Sequence, residues 1–583
     1  TKSILFFNHW NKRTSPNRTC SANSDFFPSK KKLQKKRKNH QDYYYYILLP
    51  TTIMMLHSTT SLFLGAMLLG STAAFAPQNH HHHRPTSTRT TTTTTIAQPQ
   101  PAQVAASVSY ASSALGMATV PDIFPLSKAT LKPIGANPDG NGVVTPTYDI
   151  SQVSPGILHL GMGNFHRSHL AAYVEDVMND PALFEANKQW GIVGSGIRSN
   201  HKRDELAAQD YLQTLVERDG SSSKATVLAS MIDFIQLEQM PDYLQNNADI
   251  KIVSITATEG GYFILDDGTF NLQDAAIQHD VQNPANPQTI FGKIVQGLAA
   301  RQESGLTPFT VLSCDNIPHN GQVTKSVLLG LASTGAWGDD LAAWIDDNVS
   351  CPNSMVDRIT PGTTDAMRQY CETEFGITDV SPVFCEPFRQ WIVQDDFCQG
   401  RPEFEKLDPA LQANIAFVDD VAPYELMKIR ILNGGHAALC YPSALLGVEF
   451  VHNSMEHPVI SQFLDTLERT ELIPTVPAIP DGTDLPSYWD IIAERFANPT
   501  IDDTIARNCY DGASRQPKFI VPPAKDALEM GGKIDGLALV SAMWCRYCQG
   551  TTESGDPVPS TDPQWDRLTE LAQRAKEEPT VWL

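Results

Sequence analysis

Cysteine is scarce in this chain, with 10 in 583 residues, and apart from Cys545 and Cys548 the cysteines are scattered. A chain of this length with so few cysteines is not a disulfide-stapled scaffold. Cys545 and Cys548 form a CxxC motif, but a zinc site of this kind needs a second Cys or His pair, which the sequence does not supply. We therefore interpret the cysteines as reduced thiols, which usually behave as small buried apolar side chains.

Long apolar runs are scarce as well. The apolar part of the segment SLFLGAMLLGSTAAFAP covers residues 62–69, far fewer than the ~20 residues of a membrane-spanning helix. Small residues follow it, as in a removable targeting peptide, and AAFAP at residues 73–77 resembles the signal-plus-transit presequences of diatoms and related algae. We expect residues 54–120 to be a targeting presequence and low-complexity linker that leads to a plastid, with the cytoplasm or secretion as alternatives.

Basic residues are in deficit outside the N-terminus. Residues 1–52 contain 11 Lys and Arg against 2 Asp and Glu, and the remainder contains 33 against 63. An acidic body argues against nucleic acid as the main partner and favours solubility. We expect residues 1–53 to be a disordered or untranslated extension, and we expect no stable membrane association.

Short apolar segments alternate with helical ones from about residue 150 onwards. Residues 190–197 and 250–255 are two of these apolar segments, with others at 157–160 and 309–312, and the segment HKRDELAAQDYLQTL at 201–215 has a helical pattern. Near-continuous Val, Ile and Leu runs spaced by helices predict a parallel sheet that is covered on both faces. The fold class is therefore predicted to be α/β.

Each predicted strand ends in polar residues or glycine. The four endings are at residues 161–163, 198–200, 258–261 and 315–316. In open α/β sheets ligands bind at the carboxyl ends of the strands. One such ending means little, but four in series predict a binding site along this edge.

A third glycine is missing from the first of these endings. Gly161 and Gly163 form GxG, a motif that brings a pyrophosphate to the next helix, but His166 stands where GxGxxG has its last glycine. The strand before it and the helix after it favour dinucleotide binding over a plain structural turn. The residues that we expect at the cofactor are Gly161, Gly163, Asn164, Phe165, Arg198, Asn200, Thr258 and Glu259.

An acidic residue is missing after the second predicted strand. A carboxylate there usually binds the adenosine ribose of NAD, whereas this chain has Arg198, Asn200 and His201, with no acid before Asp204. Basic side chains at this place favour a 2′-phosphate, or they form a solvated helix start. We expect NAD, with NADP as the alternative.

The segment KIRILNGGHAAL places Lys428, Asn433 and His436 in apolar surroundings. One reading is a lysine that reaches solvent and a histidine that makes one hydrogen bond in the core. The other is an active site, because burial lowers the pKa of a lysine and makes it a usable base without a metal. On a regular helix of ~100° per residue, Asn433 and His436 share a face and Lys428 lies about 80° from His436. No cluster of His, Cys and Glu at ligand spacing stands near the predicted strands, so we expect no metal site.

Five motifs in order, GMGNFHRSH, TATEGGY, SCDNIPHNG, MVDRITP and KIRILNGGH, closely resemble the polyol-specific long-chain dehydrogenases. The resemblance implies a Rossmann-type domain, which we place at residues 150–345, and a mostly helical substrate domain, which we place at residues 346–583 and expect to be truncated at its C-terminus. It also implies hydride transfer between NAD(P) and a polyol or ketose, D-mannitol and D-fructose in the nearest members, without a metal.

The resemblance also implies a role for individual residues. Lys428 is implied as the general acid/base, Asn316 and Asn433 as donors to the oxyanion, His436 as a substrate ligand and Glu425 as a proton relay. Asp357 and Arg507 are implied to contact the polyol chain, and Arg515 stands where the family often has another basic residue.

Several alternatives remain open from the sequence. Within the family, a fructuronate or tagaturonate reductase would use Arg507 and Arg515 for the substrate carboxylate, and an arabinitol dehydrogenase is a third reading. Outside it, the chain would be a non-catalytic nucleotide-binding or redox-sensing protein with Cys545 and Cys548 as its switch. A hydrolase has no support, since no GxSxG elbow occurs. We expect a monomer.

Overall fold

The computed structural model describes residues 122–137, 142–265, 268–408, 415–559 and 562–582. The predicted N-terminal extension and targeting presequence lie outside the described residues, so both stay predictions. No helix in the described part of the chain is long and apolar enough to cross a membrane.

A five-stranded parallel sheet forms the centre of the N-terminal half, in the order β6-β3-β2-β7-β8. Smaller sheets have the orders β11-β4-β5, β13-β12-β9 and β1-β10. The strands are β1 Phe124–Pro125, β2 Pro155–Leu160, β3 Gly191–Ser195, β4 Gln213–Arg218, β5 Ser223–Leu228, β6 Met231–Ile235, β7 Ile252–Ile255, β8 Thr310–Ser313, β9 Ser354–Asp357, β10 Ile377–Thr378, β11 Val383–Cys385, β12 Gln390–Gln394 and β13 Ile415–Val418.

The helices of the N-terminal half cover this sheet, and those of the C-terminal half pack on one another. Up to residue 375 the α-helices are α1 Leu131–Ala136, α2 Asn164–Ser168, α3 Leu170–Asn179, α4 Phe184–Asn187, α5 His201–Ala207, α6 Met240–Asn246, α7 Ala275–Gln282, α8 Ile290–Glu303, α9 Asn320–Ala332, α10 Leu341–Asn348 and α11 Asp365–Phe375. Beyond it they are α12 Ala422–Met427, α13 Gly434–Leu445, α14 Val451–Glu456, α15 Pro458–Leu467, α16 Leu485–Phe496, α17 Ile505–Cys509, α18 Gly512–Phe519, α19 Val521–Glu529, α20 Asp535–Tyr547 and α21 Trp565–Arg574.

The predicted α/β class is confirmed, and the four predicted strands correspond to β2, β3, β7 and β8. Successive residues of β2 pack on opposite sides of the sheet, Ile157 in one apolar core and Leu158 in another, because strand side chains alternate between faces. The edge strand β6 was not predicted, since its sequence MIDFI is short and carries an exposed aspartate.

The predicted helix at 201–215 is wrong beyond its first half. Helix α5 ends at Ala207, and Asp210 and Tyr211 take left-handed conformations with φ of 56° and 63°. The chain then enters β4, which pairs with β5 and β11. Leu212 and Leu215 are three residues apart, a spacing that suits a helix, but tertiary strand pairing outweighs this local preference.

The C-terminal half becomes mainly helical only from Ala422 onwards, because residues 354–418 still contribute strands. Its apolar core is built around α13, whose residues from Ala437 to Tyr441 are all buried. This buried helix follows directly on the segment that carries Lys428.

Candidate active site

Lys428 begins a π-helical segment, Lys428–Asn433, that continues α12 without a break and leads into α13. The prediction of a regular helix here is therefore wrong. At 100° per residue, Lys428 and Asn433 would stand about 140° apart on an α-helix. In a π-helix hydrogen bonds join residues five apart, so these two residues lie one turn apart on the same side.

The amino group of Lys428 is enclosed. Its Nζ donates to Asn316 Oδ1 at 2.6 Å and to the carbonyl oxygen of Val356, and only 5% of the residue is exposed. Burial lowers the pKa of Lys428 below its usual value, and the nearby Asp357 carboxylate opposes part of that shift. A lysine held in this way is poised to exist as a neutral amine.

The two predicted amide donors lie beside this lysine. Asn316 follows β8, and its side-chain oxygen is occupied by Lys428, which turns its NH₂ group away from the lysine. Asn433 is half-buried, and within the described residues its side chain has no hydrogen-bond partner. Both amides therefore have N–H groups available to a bound oxygen atom.

His436 is buried against Phe496, with the ring centroids 4.1 Å apart. Burial lowers the pKa of His436 to about 3, so the ring is neutral at physiological pH. Its Nε2 lies 3.6 Å from Asp503 Oδ2. A carboxylate at this place favours the tautomer with the proton on Nε2 and leaves Nδ1 as an acceptor.

Gly434 and Gly435 precede this histidine and let another helix approach. A Cβ atom at Gly435 would lie 2.8 Å from Glu468 Oε1 and 3.4 Å from the Phe496 ring. The missing side chain at Gly435 thus leaves room for Glu468 and Phe496.

Glu425 lies three residues before Lys428 on the same continuous helical segment. Its Oε2 accepts a hydrogen bond from the His319 backbone N–H at 3.1 Å and lies 3.7 Å from His319 Nδ1. Burial raises the pKa of Glu425. Since 51% of the His319 side chain is exposed, the Glu425 carboxylate lies beside a residue that reaches solvent.

The Asp357 carboxylate is already bound by another side chain of the protein. Both of its oxygens accept hydrogen bonds from Arg495, at 2.7 and 3.1 Å. Burial is the largest effect and would raise the pKa of Asp357, but Arg495 and Lys428 together outweigh it and hold that pKa below its usual value. Sequence reasoning missed Arg495, because nothing in its local sequence marks it as the partner of a residue 138 positions away.

Asp503 is a second missed residue, which holds Arg507 and lies close to His436. The Arg507 guanidinium donates to its two oxygens at 2.7 Å each, and His436 lies close to one of them. Arg515 donates to the Asn508 carbonyl oxygen at 2.6 Å. The predicted basic pair is thus present, but Arg507 is already neutralised.

The glycine turn after β2 fits a dinucleotide. Gly161 has φ of 103°, and a Cβ atom there would lie 2.1 Å from the Thr256 carbonyl oxygen, so only glycine is tolerated. A Cβ atom at Gly163 would meet nothing nearer than 4.0 Å, which leaves room for a pyrophosphate over the backbone. His166, in place of the third glycine, is buried and stacks on His159 at 3.4 Å.

The side chains of Asn164 and Phe165 are engaged within the protein. Asn164 donates to the Pro361 carbonyl oxygen at 2.9 Å and accepts from Arg167 at 2.6 Å, and Phe165 stacks on His169 at 5.0 Å. These side chains therefore position the turn, and contact with a cofactor would come from the turn's backbone.

Asp315 organises the loop after β7 and was not among the predicted site residues. Its carboxylate accepts hydrogen bonds from the N–H groups of Ala257 and Thr258 and from the Tyr262 hydroxyl, at 2.7–3.1 Å. Thr258 has φ of 66°, a conformation that costs free energy unless contacts hold it. The sequence feature that could have identified Asp315 is its position next to Asn316, just after β8.

Arg198 and Asn200 lie after β3, where the adenosine ribose is expected. Arg198 is exposed and Asn200 is half-buried. Their basic neighbours are paired, Lys202 with Glu205 and Ser381 and Arg203 with Asp204. Among the basic residues predicted here, Arg198 thus remains the one placed to meet a 2′-phosphate.

The cysteines take no part in this site. Cys545 and Cys548 are both free thiols, and burial raises the pKa of Cys545 to about 11 and that of Cys548 further. No group of three or more His, Cys, Asp or Glu residues in the described chain is arranged to hold a metal ion. The prediction of a metal-free reaction is not tested by this observation.

A glycine turn that fits a dinucleotide and a buried lysine in contact with the Asn316 amide lie at the same edge of the parallel sheet. This arrangement defines a dinucleotide-dependent dehydrogenase. A family model described as the mannitol dehydrogenase Rossmann domain matches residues 155–406, and one described as the mannitol dehydrogenase C-terminal domain matches residues 420–583. The chain belongs to the mannitol dehydrogenase family.

Individual relatives agree with the family models. The mannitol 2-dehydrogenase of Cereibacter sphaeroides is 46% identical over 446 residues, which are 76% of this chain and 91% of that protein. Mannitol dehydrogenase 2 of Saccharomyces cerevisiae is 39% identical over 441 residues, 74% of this chain and 86% of that protein. The predicted family and the enzyme class, an oxidoreductase of the polyol dehydrogenase type, are confirmed.

Solved structures with the same fold include Pseudomonas fluorescens mannitol 2-dehydrogenase in ternary complex with NAD and D-mannitol. It has a TM-score of 0.69 at 40% identity and covers 77% of this chain and 89% of that one. A D-sorbitol dehydrogenase in substrate-free form has a TM-score of 0.68 at 32% identity and covers 79% of this chain and 99% of that one. NAD, the cofactor expected from the sequence, is the one bound in the first structure.

Proposed function

We propose that this protein is a mannitol 2-dehydrogenase that interconverts D-mannitol and D-fructose with NAD, with Lys428 as the general acid/base. The observation that carries the proposal is the enclosed Lys428 amine, in contact with Asn316 and one π-turn from Asn433. The relatives named mannitol 2-dehydrogenase, one of them solved with NAD and D-mannitol, support the substrate and the cofactor.

In the oxidation direction, the neutral Lys428 amine takes the proton of the C2 hydroxyl group. As negative charge develops on that oxygen, the N–H groups of Asn316 and Asn433 donate to it, and one such donor is worth about 3 kcal/mol. The backbone of the Gly161–Gly163 turn would hold NAD⁺, which would supply the acceptor for the hydride of C2. In the reverse direction the Lys428 ammonium returns the proton to the ketose oxygen.

The proton leaves Lys428 by way of Glu425. This carboxylate lies three residues before Lys428 on a continuous helix, and residues at this spacing are neighbours. Because burial raises the pKa of Glu425, it accepts a proton more readily than an exposed glutamate does. His319, beside it and half exposed, passes the proton to solvent.

The polyol chain is expected to lie among His436, Arg507, Arg515 and Asp357. A neutral His436 and an Arg507 paired with Asp503 suit hydroxyl groups, which donate and accept hydrogen bonds without carrying charge. A hexuronate would need an uncompensated cation for its carboxylate. Arg507 is paired with Asp503, whereas Arg515 donates to a neutral carbonyl oxygen, so the assay must separate the hexuronate reductase and arabinitol readings from the mannitol one.

A second candidate substrate is D-sorbitol, which is favoured by the similarity to a D-sorbitol dehydrogenase at 32% identity. D-Sorbitol also yields D-fructose when it is oxidised at its corresponding carbon. The mannitol reading is preferred, because the relatives named for mannitol are more similar to this chain, at up to 46% identity.

The test is an assay of residues 120–583 at 340 nm, in which D-mannitol, D-sorbitol and arabinitol are each offered with NAD⁺ or NADP⁺. We expect the highest kcat/KM for D-mannitol with NAD⁺. A preference for D-sorbitol would make D-sorbitol the substrate instead of D-mannitol. Fructuronate is offered in the reverse assay, and its reduction without any polyol oxidation would overturn the proposal. A preference for NADP⁺ would point to Arg198, which is exposed where a 2′-phosphate would lie.

Delivery to a plastid by residues 54–120 and a monomeric state are further parts of the proposal. A fluorescent protein carrying residues 54–120 is expected to enter plastids, and secretion or cytoplasmic retention would contradict this. Light scattering of residues 120–583 tests the monomer.

A further inference from the structure

Arg495 forms a buried charge cluster with two carboxylates, here called the Arg495 cluster, which consists of Arg495, Asp357 and Glu386. Nε and one terminal nitrogen of Arg495 donate to Glu386 at 2.8 and 2.7 Å, and both terminal nitrogens donate to Asp357 at 2.7 and 3.1 Å. The three side chains are at most 5% exposed. The Phe388 ring covers the guanidinium at 4.0 Å.

The cluster joins distant parts of the chain. Asp357 ends β9 and Glu386 follows β11, whereas Arg495 comes from α16 in the helical half. Simple stabilisation explains such a cluster poorly, because the cost of desolvating buried charges often cancels their attraction. The residues next to the cluster are therefore a better guide to its role.

The cluster lies next to Lys428. Asp357 directly follows Val356, whose carbonyl oxygen accepts a hydrogen bond from Lys428 Nζ. The charged groups that act on Lys428 are Asp357 from β9, Arg495 from α16 and Glu425 from its own helix. Glu425 is in turn approached by His319. The arginine is thus the one cation among these that opposes the Asp357 charge.

We propose that Arg495 is a positioning residue for the dehydrogenase reaction, which holds the Val356–Asp357 backbone against Lys428 and cancels the negative charge of Asp357 there. This inference rests on the proposed function, in which Lys428 is the base. An uncancelled carboxylate would stabilise the ammonium form, which cannot take a proton. Arg495 opposes that effect, while its hydrogen bonds hold the carboxylate in place.

The test compares Arg495→Met with Arg495→Lys, a matched variant that keeps the positive charge. For each, kcat/KM for D-mannitol oxidation is measured against pH, and the midpoint of the acidic limb is read. We expect Arg495→Met to move this midpoint upwards by about one pH unit or more, and Arg495→Lys to leave it within a few tenths. A uniform loss of rate without a shift, or equal shifts in both variants, would overturn the proposal.

Asp357→Asn supplies a second test should Arg495→Met fail to fold. It removes the carboxylate and leaves the arginine charge, so the midpoint should move to lower pH, whatever the loss of rate from weaker polyol binding. A shift to higher pH, or no shift, would overturn the proposal. Failure of the proposed function is distinguishable, because it would show first as absence of polyol oxidation by the wild type or as full turnover by Lys428→Ala.

Discussion

At the scale of single residues, the account depends on how the protein makes a base from lysine. A lysine in water is almost fully protonated at neutral pH. Lys428 is enclosed, and burial disfavours its charged form, while Asn316 and the Val356 carbonyl oxygen hold the amine in one place. The environment of the lysine therefore supplies both its pKa and its orientation.

The pH dependence follows from this lowered pKa. Oxidation needs neutral Lys428, so kcat/KM for D-mannitol should rise with pH and level off above a midpoint that lies below the usual lysine value of 10.5. Ketose reduction needs the ammonium form, so its kcat/KM should fall through the same region. Profiles in both directions test this, and an oxidation profile still rising above the usual lysine pKa would contradict it.

Asp503 is expected to control substrate affinity, because it holds Arg507 through two hydrogen bonds and lies beside His436. Asp503→Asn should raise KM for D-mannitol about tenfold, since a hydrogen bond to a charged group is worth roughly 1.5–3 kcal/mol, and should change kcat much less. Asp502→Asn is the matched control, because Asp502 is exposed and its φ of 53° is tolerated by asparagine. Equal KM values for both variants would count against this role.

At the scale of elements, the π-helical segment Lys428–Asn433 places the proposed base and a proposed amide donor on one side of the same helix. The sequence predicted the trio of Lys428, Asn433 and His436 but not this geometry. A π-turn contains one residue more than an α-helical turn. The spacing of apolar residues in the sequence does not show where such a residue is added. A regular helical spacing therefore does not describe how Lys428 and Asn433 come to lie on the same side.

The strands show the same division between what the sequence reveals and what it leaves open. Strands β2, β3, β7 and β8 are buried on both faces, so their apolar runs were readable. The predicted helix was wrongly extended from α5 into β4. Asp210 and Tyr211 end the helix by taking left-handed conformations, which their residue types do not indicate in the sequence.

Asp315 is expected to hold the loop after β7 in its binding conformation. Asp315→Asn would lose an acceptor for the N–H groups of Ala257 and Thr258, so KM for NAD⁺ should rise about tenfold, in line with roughly 1.5–3 kcal/mol for a charged hydrogen bond. The control is Asp340→Asn, since Asp340 is exposed and makes no side-chain bond to the helix that it precedes. An unchanged KM for NAD⁺ would show that the loop does not depend on Asp315.

At the scale of the whole molecule, the site is assembled from segments that are far apart in sequence. Lys428 meets Asn316 across 112 positions, and Arg495 meets Asp357 across 138. Lys428 and Asn316 were predicted because their motifs resemble a known family, whereas Arg495 and Asp503 lie outside these motifs. Asp315 lies in the motif SCDNIPHNG but was not singled out. The roles of these three missed residues come from long-range contacts, which a single sequence does not display.

The measurement that tests the central claim most directly is the turnover of Lys428→Ala with D-mannitol and NAD⁺, beside a fluorescence titration of the same variant with NADH. The account predicts a loss of kcat of at least about a thousandfold, with the Kd for NADH within a few-fold of the wild type, because the variant lacks the base but keeps the glycine turn. A kcat close to that of the wild type would contradict the account, since the proton would then have another acceptor.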